Sequence, residues 1–485
     1  MEKNYEVIII GCGFAGMGMA INFLQKGITD FLILEREPEL GGTWWRNSYP
    51  GAAVDVQSHL YSFSFEPYDW TRLYAHQPEL LSYTNHVLDK YKIREKALTN
   101  TNVEKLVYDE NSGEWSVYCN GDRIFKAKNI VNASGGLSQP AYPNIKGREK
   151  FEGKNMHTGL WEHDYDYTNK NIAVIGTGAS AVQIVPELAK KAKKLTVLQR
   201  TAHWVLHRPD RILSNTERNL LKNNQWIERL FRNFTYWKLE FRIIAFQLFP
   251  KLMELFQLKA LSHLKKQVKD KDLRKKLTPN YIIGCKRILI SNDYYPALQK
   301  ENVELVTDDI ESINEKGILL KDGKQINADL LVYATGFHAA ENNVPYPVYG
   351  KNNITLQEKW KDGAYAYIGT VVDGFPNFYI IMGPNTAIGH TSAIFMMECQ
   401  MQYITKAILK KKEKNWKAIE VKNEVIKSYN NKIQKQLQGT VWNKGGCDSW
   451  YKTADGKITT LYPTFSFIFK KQTSEFKEHE HLIIS

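Results

Sequence analysis

Cysteine is scarce in this sequence, and no two cysteines stand in a CxxC spacing. The 485 residues include five cysteines, at Cys12, Cys119, Cys285, Cys399 and Cys447. An odd number at wide spacings predicts neither a disulfide framework nor a zinc site. The missing CxxC also argues against a flavin-dependent disulfide reductase. Free thiols of this kind are typical of a reducing, cytoplasmic environment, which we expect here.

Long apolar runs are absent as well. No stretch of ~18 uninterrupted apolar residues occurs, so the sequence predicts no membrane-spanning helix. The first strand begins within about five residues of Met1, which leaves no room for the parts of a secretory signal peptide. The sequence contains no metal-ligand spacing and no serine nucleophile elbow, which argues against a metal centre and against a hydrolase.

Positive charge is in excess, with a net charge of +13. Such a charge could attract nucleic acid, an anionic membrane or phosphate-rich cofactors. The surplus lysines are scattered along the chain, and no motif that reads nucleic acid accompanies them. We therefore expect a solvated basic surface and no nucleic-acid partner.

The first clear motif is YEVIIIGCGFAGMGMAINFLQKG, which predicts a strand, a tight turn and a helix. Its G-x-G-x-x-G suits a dinucleotide, because the glycines allow the turn, the approach of a pyrophosphate and the packing of helix on strand. The helix N-terminus then faces the phosphates, and a carboxylate ending the next strand can accept ribose hydroxyls. The alternative is a glycine-rich structural turn. The candidate binding residues are Gly11, Gly13, Phe14, Ala15, Gly16 and Glu35.

A second copy of this unit is KNIAVIGTGASAVQIVPELAKKAKKLTVLQRT. At the end of its second strand, Gln199 and Arg200 stand where the first copy has Glu35. An acid would repel a ribose 2′-phosphate, whereas arginine can pair with it, so this loop predicts NADP rather than NAD. The alternative is an arginine that is merely exposed at a strand end. The candidate residues are Gly176, Thr177, Gly178, Ala179, Ser180, Ala181, Arg200 and Thr201.

Two dinucleotide units in one chain predict an α/β fold with two Rossmann-like domains, one for FAD and one for NADP. We place the first part of the FAD domain at residues 1–165 and the NADP domain at 166–335. Residues 336–485 would complete the FAD domain and carry a C-terminal loop. The strands in NIVNASGG and ADLLVYATGFHAA would return the chain to the crossings lined by glycine.

Between these two units lies FEGKNMHTGLW, with Phe151, Gly153, His157 and Trp161. This spacing resembles the F-x-G-x-x-x-H-x-x-x-W fingerprint of class B flavoprotein monooxygenases, closest to type I Baeyer–Villiger monooxygenases. The family continues with Pro or Asp, where this chain has Glu162. We interpret His157 and Trp161 as positioning the linker between the domains; the alternative is packing alone.

Three further motifs carry the resemblance over nearly the whole chain. GGTWWRNSYPGAAVD matches the family at Gly41, Gly42, Trp44, Tyr49, Pro50, Gly51 and Asp55. GCKRILISNDYYPAL carries the Lys-Arg pair as Lys286 and Arg287, and DSWYKTADG resembles the mobile loop whose tryptophan meets the nicotinamide nucleotide, here Trp450.

The resemblance implies an enzyme that uses FAD, NADPH and O2 to oxidise a lipophilic ketone to an ester or lactone through a flavin peroxide. Arg287 would stabilise the peroxide anion, with Asp55 as its partner; the alternative is an ion pair that only ties domains together. Lys286 would reach the 2′-phosphate beside Arg200. Further family positions for cofactor binding are Gly42, Thr43, Trp44, Asp55, Tyr61, Val103 and Trp450, and more weakly Gln77.

Other functions remain open at this point. The same chemistry serves N- or S-oxygenation, and an NADPH oxidase would release hydrogen peroxide. A nucleotide-binding redox sensor without catalysis is disfavoured by Arg287, Asp55 and Trp450.

Residues of about 210–280 interrupt the second unit and read as a helical insert. An apolar residue recurs every three or four positions, which predicts one amphipathic helix, and Pro250 should end or kink it. We expect a helical subdomain packed over the active-site cleft; the alternative is a surface helix that touches a membrane. The stripe consists of Trp226, Leu230, Phe234, Trp237, Phe241, Ile244 and Leu248.

Overall fold

The computed structural model describes residues 4–338, 344–453 and 455–485. Three alanines of the motifs above, Ala339, Ala340 and Ala454, lie outside these ranges. In the described chain the strands are β1 Asn4–Ile10, β2 Phe31–Leu34, β3 Ala97–Leu98, β4 Val103–Asp109, β5 Glu114–Cys119, β6 Arg123–Asn132, β7 Lys154–His157, β8 Asn171–Ile175, β9 Lys194–Leu198, β10 Val205–Leu206, β11 Leu289–Ile290, β12 Val303–Val306, β13 Ile310–Asn314, β14 Gly317–Leu320, β15 Gln325–Asn327, β16 Leu330–Tyr333, β17 Val348–Tyr349, β18 Phe378–Ile380, β19 Ala418–Val421 and β20 His481–Ile484.

The α-helices are α1 Phe14–Gln25, α2 Thr43–Arg46, α3 Gln77–Lys90, α4 Ala179–Leu188, α5 Asn215–Asn223, α6 Gln225–Glu240, α7 Met253–Gln267, α8 Lys271–Leu277, α9 Tyr294–Ala297, α10 Leu356–Lys359, α11 Ala393–Glu413, α12 Asn423–Gln438, α13 Val441–Lys444 and α14 Ser466–Thr473. Within the described residues, no helix combines the length and the apolar character that crossing a bilayer requires.

The first sheet has the order β17-β4-β5-β6-β1-β2-β3, and β18 also pairs with β6. β6, β1, β2 and β18 run parallel, whereas β4, β5 and β6 form an antiparallel meander. β17 and β18 come from the C-terminal part of the chain, which therefore returns to complete this sheet.

The second sheet has the order β12-β9-β8-β16-β7, and all of its pairs are parallel. Its central strands are almost wholly apolar and buried, as parallel strands covered on both faces must be. The α/β fold with two Rossmann-like units is confirmed. The domain boundaries stay a prediction, and β7 joins the second sheet although it precedes residue 166.

The helical insert departs from the prediction in two ways. The expected single helix ends at Glu240, and a π-helical turn at Ile244–Leu248 follows before Pro250. The stripe also faces solvent rather than a cleft, since the exposed fractions of Trp226, Phe234 and Phe241 are 64%, 69% and 57%. The side chain of Leu248 lies outside those the structure describes.

The opposite face of α6 is the buried one, although it carries polar groups. Glu240 is fully buried and accepts a 2.8 Å hydrogen bond from the hydroxyl of Ser466. Arg232 donates from Nη2 to the carbonyl of Ser62 at 3.0 Å. These specific partners hold the polar face inward, because a buried charge that finds hydrogen bonds avoids most of its desolvation cost. Periodicity alone could not show this reversal.

The cysteine prediction was wrong for one pair. Cys285 and Cys447 form a disulfide across 162 residues of chain, and Cys12, Cys119 and Cys399 are free and buried. The backbone N–H of Ile282 donates to the carbonyl of Gly445 at 3.0 Å, so the fold brings the two segments together. Spacing along the chain carries no information about this contact.

Candidate functional site

Each dinucleotide motif packs closely against its sheet at a glycine whose position leaves no room for a side chain. Gly11 has φ of +95°, and a Cβ there would lie 2.8 Å from the carbonyl oxygen of Ala133, just after β6. Gly176 has φ of +110°, and its Cβ would lie 2.5 Å from the carbonyl oxygen of Ala334, just after β16. The two units are therefore built alike, and each opens a crevice at the carboxyl ends of its parallel strands, where such folds bind nucleotides.

The first crevice gathers the motif residues around the start of α1. Gly13 is the N-cap of α1 and makes no side-chain cap, so the helix N-terminus keeps backbone donors for a phosphate. Gly42 packs directly against Gly13, since a Cβ on Gly42 would lie 2.6 Å from Gly13 Cα. A Cβ on Gly16 would lie 1.9 Å from the carbonyl oxygen of Gly11. Phe14 and Ala15 are buried in the first turn.

Aromatic residues of the second motif pack beside α1. The Tyr61 ring lies 5.8 Å from the rings of both Phe14 and Trp44. Gln77 Nε2 donates to the carbonyl of Trp44 at 2.6 Å. Thr43 begins the short helix α2 and is exposed. The structure thus brings these family positions together around one crevice.

Glu35 lies at the end of β2, and its carboxylate organises the loop. It accepts hydrogen bonds from the backbone N–H of Cys12 at 2.8 Å and of Glu37 at 3.0 Å. Burial raises the pKa of Glu35, and these two bonds partly offset the rise. Thr101 donates its N–H to the carbonyl of Glu35 at 2.8 Å, which brings the chain leading into Val103 to the same place.

The second crevice is open at its loop. A Cβ on Gly178 would meet no atom within 4 Å, and Ala179, Ser180 and the buried Ala181 form the uncapped first turn of α4. Thr177 Oγ1 donates to the carbonyl of Thr201 at 2.9 Å and so joins the loop to the end of β9.

Cations converge beside this second loop. Arg200 is exposed, and Lys286 is partly buried with its Nζ 5.3 Å from the centre of the Tyr281 ring. Burial lowers the pKa of Lys286, the charge of Arg200 lowers it further, and that of Asp448 opposes the change. Two positive side chains from different segments therefore lie close enough to interact, and such a pair suits a phosphate dianion. Gln199 is buried and donates to the carbonyl of Lys276 at 2.7 Å, so Arg200 is the residue left available.

Arg287 and Asp55 form an ion pair between segments that are far apart in the chain. Nε and Nη2 of Arg287 both approach Oδ2 of Asp55, at 2.8 and 2.5 Å. Asp55 raises the pKa of Arg287 above its ordinary value, so the guanidinium stays charged. The other N–H groups of Arg287 do not donate to Asp55.

The Asp55 segment is braced by the second unit. The hydroxyl of Tyr49 donates to Gln183 Oε1 in α4 at 2.7 Å, and Gln183 Nε2 donates to the carbonyl of Ala53 at 2.9 Å. Gly51 leaves room for this contact, because a Cβ there would lie 2.5 Å from the carbonyl oxygen of Gln183. The position of Asp55 therefore depends on both units.

Tyr451 completes the surroundings of the pair, and the sequence analysis missed it. It is buried, and burial raises its pKa to about 12 while the charge of Arg287 partly opposes the rise. Its neighbour Trp450 is 45% exposed, with its ring 4.5 Å from that of Tyr451. The sequence signal that could have identified Tyr451 is its position directly after Trp450, the tryptophan of the family motif.

The fingerprint residues lie on and around β7, the edge strand of the second sheet. His157 ends β7, its Nδ1 accepts from the N–H of Gly159 at 3.0 Å, and its ring lies 5.4 Å from that of Phe337. Burial lowers the pKa of His157 to about 4, which makes the imidazole neutral at ordinary pH. Trp161 is buried against Tyr167. A neutral, buried imidazole does not favour acid–base chemistry, and the positional role of His157 and Trp161 stays a prediction, with packing alone as its alternative.

Other residues missed from the sequence precede α11. The hydroxyls of Thr391 and Ser392 are buried and make no hydrogen bond within the described residues. They follow β18, which runs parallel to β6, so the segment leaves the sheet at the same edge as the Gly11 loop. Buried hydroxyls are rarely left unsatisfied. Together with the glycine crevice and uncapped α1, these donors fit an FAD whose polar ring atoms would pair with them.

Comparison with known proteins agrees with this geometry. Residues 8–233 match the family described as pyridine nucleotide-disulphide oxidoreductase. A Baeyer–Villiger monooxygenase of Pseudomonas aeruginosa is 43% identical over 479 residues, covering 98% of this chain and 90% of the relative. The FAD-binding monooxygenase ktnD of Aspergillus niger is 38% identical over 494 residues, covering 97% of this chain and 80% of the relative. An oxidised steroid monooxygenase bound to NADP superposes with a TM-score of 0.88 at 27% identity, covering 100% of both chains.

Proposed function

Because the chain belongs to the family of Baeyer–Villiger monooxygenases, we propose that it oxidises a lipophilic ketone to an ester or lactone with FAD, NADPH and O2. When bound, FAD accepts the hydride of NADPH and activates oxygen. The observation that carries the proposal is the Arg287–Asp55 pair, held between two nucleotide crevices by contacts from both units.

Arg287 supplies fixed positive charge. Its guanidinium cannot lose its proton at a working pH, and Asp55 holds its plane through two N–H groups on one carboxylate oxygen. The other N–H groups are left to face a developing negative oxygen. A preorganised donor of this kind favours the oxygen-transfer step, because it needs no rearrangement when the charge forms.

The chain's other site residues bind and orient the nucleotides. Arg200 and Lys286 take the 2′-phosphate of NADPH, and the uncapped start of α4 takes its pyrophosphate. The start of α1, with Gly42 beside it, takes the pyrophosphate of FAD. Tyr451 is buried near the Arg287–Asp55 pair, and the Arg287 side chain stays half exposed towards the crevice.

A substrate panel tests this function. Purified holoenzyme is given NADPH with matched ketones, sulfides and amines, and products are identified by mass while hydrogen peroxide is measured. We expect a gain of one oxygen atom on ketones with little peroxide. Oxidation confined to sulfides or amines would favour the N- or S-oxygenating function, and peroxide without product would favour an NADPH oxidase.

A second proposal concerns how a lipophilic substrate arrives. We propose that the insert rests on an anionic membrane surface. Besides the apolar stripe of α6, four apolar side chains of the segment that follows it are exposed: Phe249, Leu252, Leu255 and Leu258. Arg229, Lys238, Lys251 and Lys259 are exposed among them, beside Glu254. Exposed apolar side chains and cations in one stretch of chain suit anionic headgroups over an acyl layer.

A further inference from the structure

The Cys285–Cys447 disulfide joins the two segments that surround the catalytic ion pair. Cys285 directly precedes Lys286 and Arg287. On the other side, Cys447 begins the short stretch that leads to Tyr451, whose side chain is buried beside Arg287. A covalent bond at this point therefore ties the segment that carries the two cations to the segment that carries Tyr451.

The packing differs on the two sides of the disulfide. Cys285 is fully buried, and a Cβ on Gly445 would lie 2.5 Å from the Cys285 Cβ, so that side is closely packed. Cys447 is partly exposed, in a described stretch of residues 446–449 that forms neither helix nor strand. Of the two cysteines, Cys447 is therefore the one that a thiolate from solution would attack, because Cys285 is fully buried.

We propose that Cys285–Cys447 is a redox-sensitive site for a small dithiol and for hydrogen peroxide, which sets whether residues 447–451 are held over the coenzyme crevice. The kinetic consequence rests on the proposed NADPH-dependent function. The bond itself, and the release of the segment, do not.

The chemistry balances in both directions. In reduction, a dithiol thiolate attacks Sγ of Cys447, the S–S bond breaks, and Cys285 leaves as a thiolate that takes a proton. The second thiol of the reagent then closes its own disulfide and frees Cys447. In oxidation, the Cys447 thiolate attacks hydrogen peroxide, and one water leaves. Cys285 then displaces the second water from the sulfenic acid and restores the bond.

Release of the segment weakens coenzyme binding. The rings of Trp450 and Tyr451 lie 4.5 Å apart in this segment, and the charge of Arg287 acts on Tyr451, so the placement of both rings depends on the course of residues 447–451. We expect reduction to raise the KM for NADPH about three- to tenfold and to increase the peroxide formed per NADPH. Because hydrogen peroxide restores the disulfide, the hydrogen peroxide released without product would itself reverse the reduction.

The test uses FAD-loaded enzyme purified without reductant and divided into untreated, dithiothreitol-treated and peroxide-restored samples. Thiols are alkylated in denaturant and mapped by mass spectrometry. Trypsin cleavage of the folded samples after Lys444 and Lys452 is timed, and the KM for NADPH is measured. The variant Cys447→Ser removes the bond, and Cys119→Ser, a buried free cysteine in β5, is the matched control.

We expect Cys285 and Cys447 to alkylate only after reduction, with faster cleavage at Lys452 and a raised KM that peroxide reverses. Cys447→Ser should show the raised KM in every sample, and Cys119→Ser should behave as the unmutated enzyme. Alkylation of both cysteines in untreated and peroxide-treated protein would overturn the proposal, as would equal cleavage and equal KM in the two states. If no substrate is oxygenated, the thiol map and the cleavage rates still decide the redox site on their own.

Discussion

Arg287 is the residue on which the proposed chemistry turns. Replacing it by Ala should leave FAD bound and leave flavin reduction by NADPH, because neither needs a cation beside the reacting oxygen. Formation of oxygenated product should fall by about 10²- to 10³-fold, the usual cost of losing one preorganised donor. Stopped-flow measurement of each half-reaction, with product and peroxide per NADPH, checks this.

Two further variants sharpen the Arg287 experiment. Arg287→Lys should restore only part of the activity, because an ammonium lacks the planar fork that Asp55 holds. Arg211→Ala is the matched control, since Arg211 is an exposed arginine paired with Glu217 in the insert. Near-normal product per NADPH in Arg287→Ala would mean that Arg287 only ties the segments together.

Arg200 determines coenzyme choice if the second crevice takes a 2′-phosphate. Arg200→Ala should raise the KM for NADPH about tenfold or more, since a charge-assisted hydrogen bond contributes about 1.5–3 kcal/mol. The KM for NADH should barely change, because NADH lacks that phosphate. Steady-state kinetics with both coenzymes test this, with the exposed Arg123→Ala as control. Equal efficiency of both coenzymes in the unmutated enzyme contradicts the assignment.

At the scale of elements, helix α6 presents its apolar stripe outward. If this face meets a membrane, the protein should sediment with vesicles containing phosphatidylserine, and high salt should reduce the bound fraction by screening the basic residues. The double variant Trp226→Ser with Phe234→Ser should lose most of the binding. Leu482→Ser, which replaces another exposed apolar residue, in β20, should not. Vesicle binding that is absent at low salt removes the proposal.

The Gly11 and Gly176 crevices explain why element-level prediction succeeded for the nucleotide units. Each needs a strand, a glycine without a Cβ and a helix N-terminus within a dozen residues, and these are local demands that the sequence must meet directly. The prediction for the helical insert failed because a helical period shows only that the two faces of a helix differ, and not which of them is buried. Which face is buried depended on distant partners of α6, such as Ser62 and Ser466.

Buried histidines make the stability of the whole molecule depend on pH. Burial lowers the pKa of both His59 and His157 to about 4 in the folded chain, whereas an unfolded histidine has a pKa of about 6.5. The unfolded state therefore binds more protons between these values. Stability is fully present above about pH 6.5 and is lost as pH falls towards 4, by about 1.4 kcal/mol per histidine for each pH unit once well below 6.5.

A melting series of the FAD-loaded enzyme from pH 7.5 to pH 5 measures this effect. As the pH falls, the Tm of His59→Phe should decrease less steeply than that of the unmutated enzyme. The variant has no histidine at this position to take up a proton on unfolding. His479→Gln replaces an exposed histidine and should leave the slope unchanged. Parallel curves for all three proteins would show that buried histidines do not set the acid sensitivity.

The sequence by itself determined the two dinucleotide units and the family, because contiguous motifs encode local geometry. It also supplied most site positions, which stay proposals: Arg200, Asp55 and Arg287 stand at fixed places within such motifs. Only the tertiary structure decided the rest. The Cys285–Cys447 bond, the place of Tyr451 and the outward face of α6 arise where segments far apart in the chain meet, and a linear pattern carries no record of those distances.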